Sequence, residues 1–222
     1  MNKLMLALGL AATIITAGTV RAADEFSAAE QRVFLDNHLK NIPKATTIGY
    51  HYSQTGKAED SYEDEVKLVV GAGAADKRSL AVDYLSGKHK VDLPSIEGAT
   101  GNPVLLYFLE HDIRDMHDRL GGQQAYFRKR IRLALADAAT VKPVKLSYRG
   151  KNVDGNEVTI EPYVNDALKD RLGAFVAKRY VFVLSDAIPG AVYELRTDTP
   201  AATGSAPSPA VTTSLKIVDG QS

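Results

Sequence analysis

Apolar residues recur at every second position in four separate stretches of this chain, and that period commits much of it to strands with one dry face. Ile48, Tyr50 and Tyr52 share one face; Val66, Leu68 and Val70 share another, as do Leu80, Val82 and Tyr84. From Val144 to Tyr148 the alternation is with Lys145 and Ser147. Tyr180 to Leu184 is apolar on both faces, which predicts an interior strand covered on each side. Asp154-Gly155 is a strong hairpin signal ahead of Val158 and Ile160. Ile188-Pro189-Gly190-Ala191 has the Pro-Gly pair of a type II turn, leading into Val192 to Leu195. A last strand is expected around Leu215 to Val218, after a Pro/Ser/Thr-rich loop at residues 199–213.

Three segments carry a helical period instead. Ser27-Ala28-Ala29-Glu30 has the spacing of a capping box, and Ala28, Leu35, Leu39 and Ile42 follow as a stripe with Phe34 beside it, ending at Pro43. Leu105, Leu109, Ile113, Met116 and Leu120 fall within about 80° of one another when wound at about 100° per residue. Asn102-Pro103 suits the start of that helix and Gly121-Gly122 its stop. Residues 126–138 read either way: Phe127, Ile131, Ala134, Leu135 and Ala138 make a helical stripe, while Ile131, Leu133 and Leu135 alternate. Alanine richness favours helix. Runs of neighbouring strands with helices set between them predict an α+β fold, a curved antiparallel sheet covered on one face by the N-terminal helix and the central helical pair.

The first 22 residues read as a secretory signal. Lys3 precedes Leu4 to Val20, a stretch without charge, and Val20-Arg21-Ala22 places short residues at the cleavage positions. A spanning helix needs about 20 consecutive apolar residues; this stretch is shorter and broken by Gly9, Thr13, Thr16, Gly18 and Thr19. Cleavage before Ala23 would leave residues 23–222 as a single periplasmic domain. The chain has no cysteine, so a released product is expected, without acylation or disulfides. Removing Lys3 and Arg21 from 27 basic residues set against 27 acidic ones leaves a balance of −2. That balance gives no footprint for nucleic acid.

Few polar positions point to chemistry. Val69-Val70-Gly71-Ala72-Gly73 begins like a dinucleotide fingerprint, but Asp76 holds the third glycine's place and a strand follows, so no cofactor is expected. On the first long helix His111, Asp115 and Asp118 share a face, a grouping that suits either a metal ion or a wet surface. His117 projects to the other side. Asp112 sits at the edge of the buried stripe, where a carboxylate needs a partner. Arg130 holds the corresponding flank of the next helix, so an Asp112–Arg130 pair is expected to fix the helical hairpin, with ligand contact as the alternative role. Asp186 precedes the Pro-Gly turn and is expected to bond its amides. No catalytic Ser-His-Asp set can be assembled from spacing.

The order of signal, amphipathic helix, antiparallel strands, an inserted helical segment opening Asn102-Pro103-Val104-Leu105-Leu106, and further strands resembles the periplasmic lipoprotein-carrier (Lol-type) superfamily. That resemblance is in layout. It implies an incomplete β-barrel lidded by helices, with an apolar cavity for acyl chains. The readings that follow are a non-enzymatic carrier of an apolar or lipid-like ligand, an accessory subunit of a cell-envelope assembly, and a metal-dependent hydrolase using the His111 helix.

Overall fold

A computed structural model describes residues 26–56, 61–74, 77–202 and 210–219. The expected signal, its cleavage point, Asp76 and the centre of the 199–213 stretch lie outside those residues. Nine strands form one antiparallel sheet in the order β4-β3-β2-β1-β9-β8-β7-β6-β5. They are β1 (Thr46–Thr55), β2 (Tyr62–Ala74), β3 (Lys77–Tyr84), β4 (Ile96–Ala99), β5 (Thr140–Tyr148), β6 (Lys151–Ile160), β7 (Arg179–Leu184), β8 (Val192–Thr199) and β9 (Val211–Ile217). The sheet is not closed into a barrel, and its architecture is the expected α+β. Two meanders, β1–β4 and β5–β9, meet where β9 pairs with β1.

Alternation sets the register. Tyr50 stands opposite Val66 on one side and Ile217 on the other. Leu215 links Tyr52 to Leu195, and Phe182 continues that row to Val158. All of these side chains are buried. At about 25 cal/mol per Å² of apolar surface removed from water, such rows provide the main force holding the helices to the sheet. β7 is buried from Tyr180 to Leu184, as an interior strand should be.

β4 and β5 occupy opposite edges of the sheet, so the chain between them must cross its face. Two helices do so: α2 (Val104–Leu120) and α3 (Gln124–Asp137). Asn102 Oδ1 accepts the Val104 amide at the start of α2, and the expected glycine stop is present, Gly121 having φ +70°. Residues 126–138 are helical to Asp137. A short helix α4 (Lys169–Leu172) lies in the β6–β7 connection.

The N-terminal helix departs from its expected form. Ser27 and Glu30 make the capping box, each side chain accepting the other's amide at 3.0 Å. After α1 (Ala28–Glu30) the backbone widens into a π turn over Gln31–Leu35 and turns extended at Asp36, well before Pro43. The wider turn rotates the buried face onto Ala29 and Val33 and leaves Leu35 exposed. Leu39 and Ile42 are buried from the following turns, where Asn37 Oδ1 accepts the Leu39 amide.

Two loop expectations also change. The β5–β6 hairpin turns at Arg149-Gly150, both at positive φ (+50° and +71°), the requirement of a type I′ turn. Asp154-Gly155 sits inside β6 instead. A Cβ on Gly155 would lie 2.7 Å from Leu146 Cδ1 and 2.8 Å from the Leu184 carbonyl oxygen, so this glycine serves close approach, not turning. β9 begins at Val211, inside the expected loop. The type II turn is as expected: the Ala191 amide reaches the Ile188 carbonyl at 2.8 Å, with Gly190 at φ +74°.

Candidate functional site

Where α2 crosses the sheet, the space is filled by side chains. Tyr50, Tyr52, Tyr84, Tyr163, Tyr180 and Phe108 are among the largest fully buried residues and pack there against Leu105 and Met116. The resemblance to a lipoprotein carrier places an apolar cavity under such helices; here tyrosines and α2 occupy that position. Their hydroxyls need partners. Tyr180 donates to Asp112 Oδ2 at 2.7 Å, and Lys178 Nζ donates to Asp112 Oδ1 at 2.5 Å. Burial, reinforced by the Asp112 charge, holds the Tyr180 hydroxyl well above its ordinary pKa.

One cleft, of about 230 Å³, opens at the α2–α3 turn between Leu120, Phe127 and Leu172; two others lie further toward the β1–β2–β3 end. One of these, of about 510 Å³, is lined by Tyr62, Lys88, His89, His111, Arg114 and Asp118, among others. A second of about 220 Å³ is lined by Tyr84, Val91, Leu93, Tyr107, Glu110, His111 and Arg114. Val91, His111 and Arg114 wall both. Two hydrogen bonds hold this wall in place. Asp64 of β2 accepts the Ser86 amide at 2.8 Å, anchoring the turn that carries Lys88 and His89. Burial acts to raise the Asp64 carboxyl, but the Glu65 and Ser86 amides hold it below its usual value. The Val91 amide donates to the Tyr84 carbonyl at 3.0 Å, tying the far end of that segment to β3.

Aromatic rings line the wall. Tyr62 stacks face to face on His89 with centroids 4.0 Å apart and on Tyr52 at 5.3 Å. The His111 ring stands edge-on to Tyr52 at 5.9 Å and tilted to Tyr84 at 5.8 Å. Two polar atoms in this cluster, His111 Nδ1 and the Tyr84 hydroxyl, are buried and make no hydrogen bond among the described residues. Burial lowers the His111 pKa, so the ring is neutral at neutral pH, and it raises the Tyr84 hydroxyl.

No protein-family model matches this chain, and no curated protein matches it. Among solved structures it is similar to a "putative outer membrane lipoprotein-sorting protein domain" from Vibrio parahaemolyticus. The two share 9% identity and a TM-score of 0.21 over 79% of this chain and 84% of that one. A TM-score of that size does not establish a common fold. Among the described residues no helix is long and apolar enough to cross a membrane.

The residues singled out in the sequence are dispersed by the fold. Asp112 is buried and paired as its position demanded, but its partner is Lys178 at the entrance to β7, not Arg130. Arg130 lies instead against Asp166, Nε to Oδ2 at 2.6 Å, and donates to the Pro162 carbonyl at 3.1 Å. It thus ties α3 to the β6–β7 connection. Asp186 does not bond the turn amides, a task Ser185 Oγ performs by accepting the Ala187 amide. Asp186 faces the N-terminal segment and receives Arg32 at 3.1 Å and Lys40 at 2.9 Å. The Lys40 ammonium, with Arg32, keeps that carboxyl below its usual range.

His111, Asp115 and Asp118 do meet along one cleft, yet they form no metal-binding group among the described residues. Arg119 Nε holds both Asp115 oxygens at 2.8 Å. His117 accordingly turns elsewhere, its Nδ1 lying 2.8 Å from the Gly122 carbonyl at the helix end. Sequence reasoning missed Lys178, Tyr180, Tyr62, His89 and Arg114. Tyr180 was visible as a strand residue, but nothing local connects it or Tyr62 with α2.

Proposed function

We propose that this is an exported, non-enzymatic binding protein that carries a small amphiphile in the two clefts meeting at His111. The observation that carries this reading is a pair of buried polar atoms with no hydrogen bond among the described residues: His111 Nδ1, at the wall shared by two cavities, and the Tyr84 hydroxyl, beside the smaller one. A buried donor or acceptor left unsatisfied costs about 1–3 kcal/mol, and a bound polar group would recover that cost. The cavities differ in character: the smaller is bordered by Val91, Leu93 and two tyrosines, the larger by Lys88, His89 and Asp118. A ligand with one apolar and one polar end matches both. Three of the nearby carboxylates are held by cations, Asp112 by Lys178, Asp115 by Arg119 and Glu110 by Arg128. That favours recognition over proton transfer as the task of this wall. The charge-poor N-terminal stretch with its short residues before Ala23 supports export to the periplasm.

The test is amide and side-chain NMR on the protein purified after export, titrated with a panel of small amphiphiles of both charges and none. Saturable shifts at His111 and Tyr84 are expected for at least one class. A panel that leaves both residues unmoved overturns the reading.

A further inference from the structure

We infer that the ligand's polar end is a carboxylate gripped by Arg114 and His111, and that its apolar end is a single ring or short alkyl chain set against Tyr84 and Tyr107. This rests on the binding role proposed above and names the chemistry that the same wall would select.

Arg114 is the first reason. It projects from α2 at the junction of the two clefts, one turn beyond Glu110. Two of the acids around it are already taken: Arg128 grips both Glu110 oxygens at 2.6 Å, and Arg119 grips both Asp115 oxygens, while Asp118 lines the larger cleft one turn further on. Arg114 itself enters no ion pair among the described residues. A guanidinium is a planar fork of donors that matches a carboxylate with two parallel hydrogen bonds.

His111 is the second. It lies three residues before Arg114, on the same side of the helix, and its ring is fixed between Tyr52 and Tyr84. A neutral imidazole supplies one N–H, and its Nδ1 has no partner among the described residues. One fork and one further donor fit the two oxygens of a carboxylate. A phosphate offers three oxygens and more charge than this pair would satisfy.

Size is the third. The tyrosine-bordered cleft measures about 220 Å³, below the about 300–1,000 Å³ of sites for drug-sized ligands. A cleft of that size accommodates a single ring or a short chain and not a full acyl chain.

Calorimetric titration of the exported protein with phenylacetate, phenylacetamide, phenylphosphonate and palmitate tests this. Phenylacetate should bind at least roughly tenfold more tightly than the amide, the worth of a charge-assisted hydrogen bond. Arg114→Gln should bring the acid down to the amide's affinity while leaving the amide unchanged, which a misfolded variant would not do. Equal binding of acid and amide, or tighter binding of the phosphonate, overturns the carboxylate. Tighter binding of palmitate overturns the short body. In each of those cases the cleft still binds and the proposed function stands; if none of the four binds and the amphiphile panel also fails, both fall.

Discussion

Lys178 and Asp112 form an ion pair in the interior of the protein, 2.5 Å from Nζ to Oδ1, with side chains only 4% and 6% exposed. The two residues enter from different layers. Asp112 comes from the middle of α2, and Lys178 from the last residue before β7. Their contact, with the Tyr180 hydroxyl on the second carboxylate oxygen, fixes where the long helix crosses the sheet.

Removing one charge should therefore cost more than removing both. Lys178→Met strands a buried carboxylate, and a loss of about 3–5 kcal/mol is expected in urea denaturation. The double variant Lys178→Met, Asp112→Leu should recover much of that loss, since Tyr180 keeps the Tyr163 hydroxyl at 3.3 Å. A double variant as unstable as the single one would show that the pair contributes more than mutual neutralisation.

Arg130 offers a parallel case on the far side of the helical hairpin. Its partner Asp166 has a side chain only 2% exposed and also accepts the Leu168 amide at 2.7 Å. Arg130→Met should destabilise the protein by about 1.5–3 kcal/mol, the usual worth of a bond to a charged group. Adding Asp166→Asn should restore part of it, as measured by thermal unfolding.

The N-terminal segment is fastened by a histidine whose charge state matters. His38 Nδ1 accepts the Asn102 amide at 3.1 Å, which leaves Nε2 to donate to the Arg32 carbonyl at 2.9 Å. Only the neutral ring can do both. Burial lowers the His38 pKa below the unfolded value of about 6.5, and the same holds for His111. As pH falls, the unfolded chain takes up these protons first. The stability linked to the two rings is complete above about pH 6.5 and is lost progressively below it. Melting temperatures between pH 7.5 and 5 should fall, and His38→Asn with His111→Asn should flatten the curve.

Gly155→Ala is a small change with a definite expectation. The new methyl would press on Leu146 and on the Leu184 carbonyl at under 3 Å. Backbone cannot give way cheaply, so a loss of about 1–3 kcal/mol is expected in denaturant melts. Gly150→Ala should also destabilise, through positive φ rather than contact, since nothing lies within 4 Å of its Cβ position.

These two glycines show why part of the fold was legible in the sequence and part was not. Strands and long helices announce themselves by period, because burial on one face acts residue by residue along a local segment. A glycine does not announce which of its two uses it serves. Asp154-Gly155 and Arg149-Gly150 look alike as turns until Leu184 is brought alongside from another strand. Asp112 illustrates the same divide. Its place on the helix face revealed that it would be buried, but its partner lies 66 residues away, and no spacing rule reaches that far. The N-terminal stripe failed for another reason: a π turn breaks the 3.6-residue period on which the expectation was built. The clefts were least visible of all, since Tyr84, Val91, His111 and Arg114 come from three separate segments.

The seam between β1 and β9 has a consequence for how the chain reaches this structure. Tyr50 pairs with Ile217, so the ends of the described fold are neighbours in the sheet. Closing a loop of that length is entropically costly and slow to be repaid. During synthesis the first meander and the helical hairpin emerge long before β9 does. Until that strand arrives, β1 and β8 each present a bare row of amides and carbonyls, the kind of edge that recruits other chains. Seven residues, Val211–Ile217, then cap both edges at once. Truncation or slow release at the C-terminus would thus leave two half-sheets with adhesive flanks, and aggregation rather than a looser monomer would be the result.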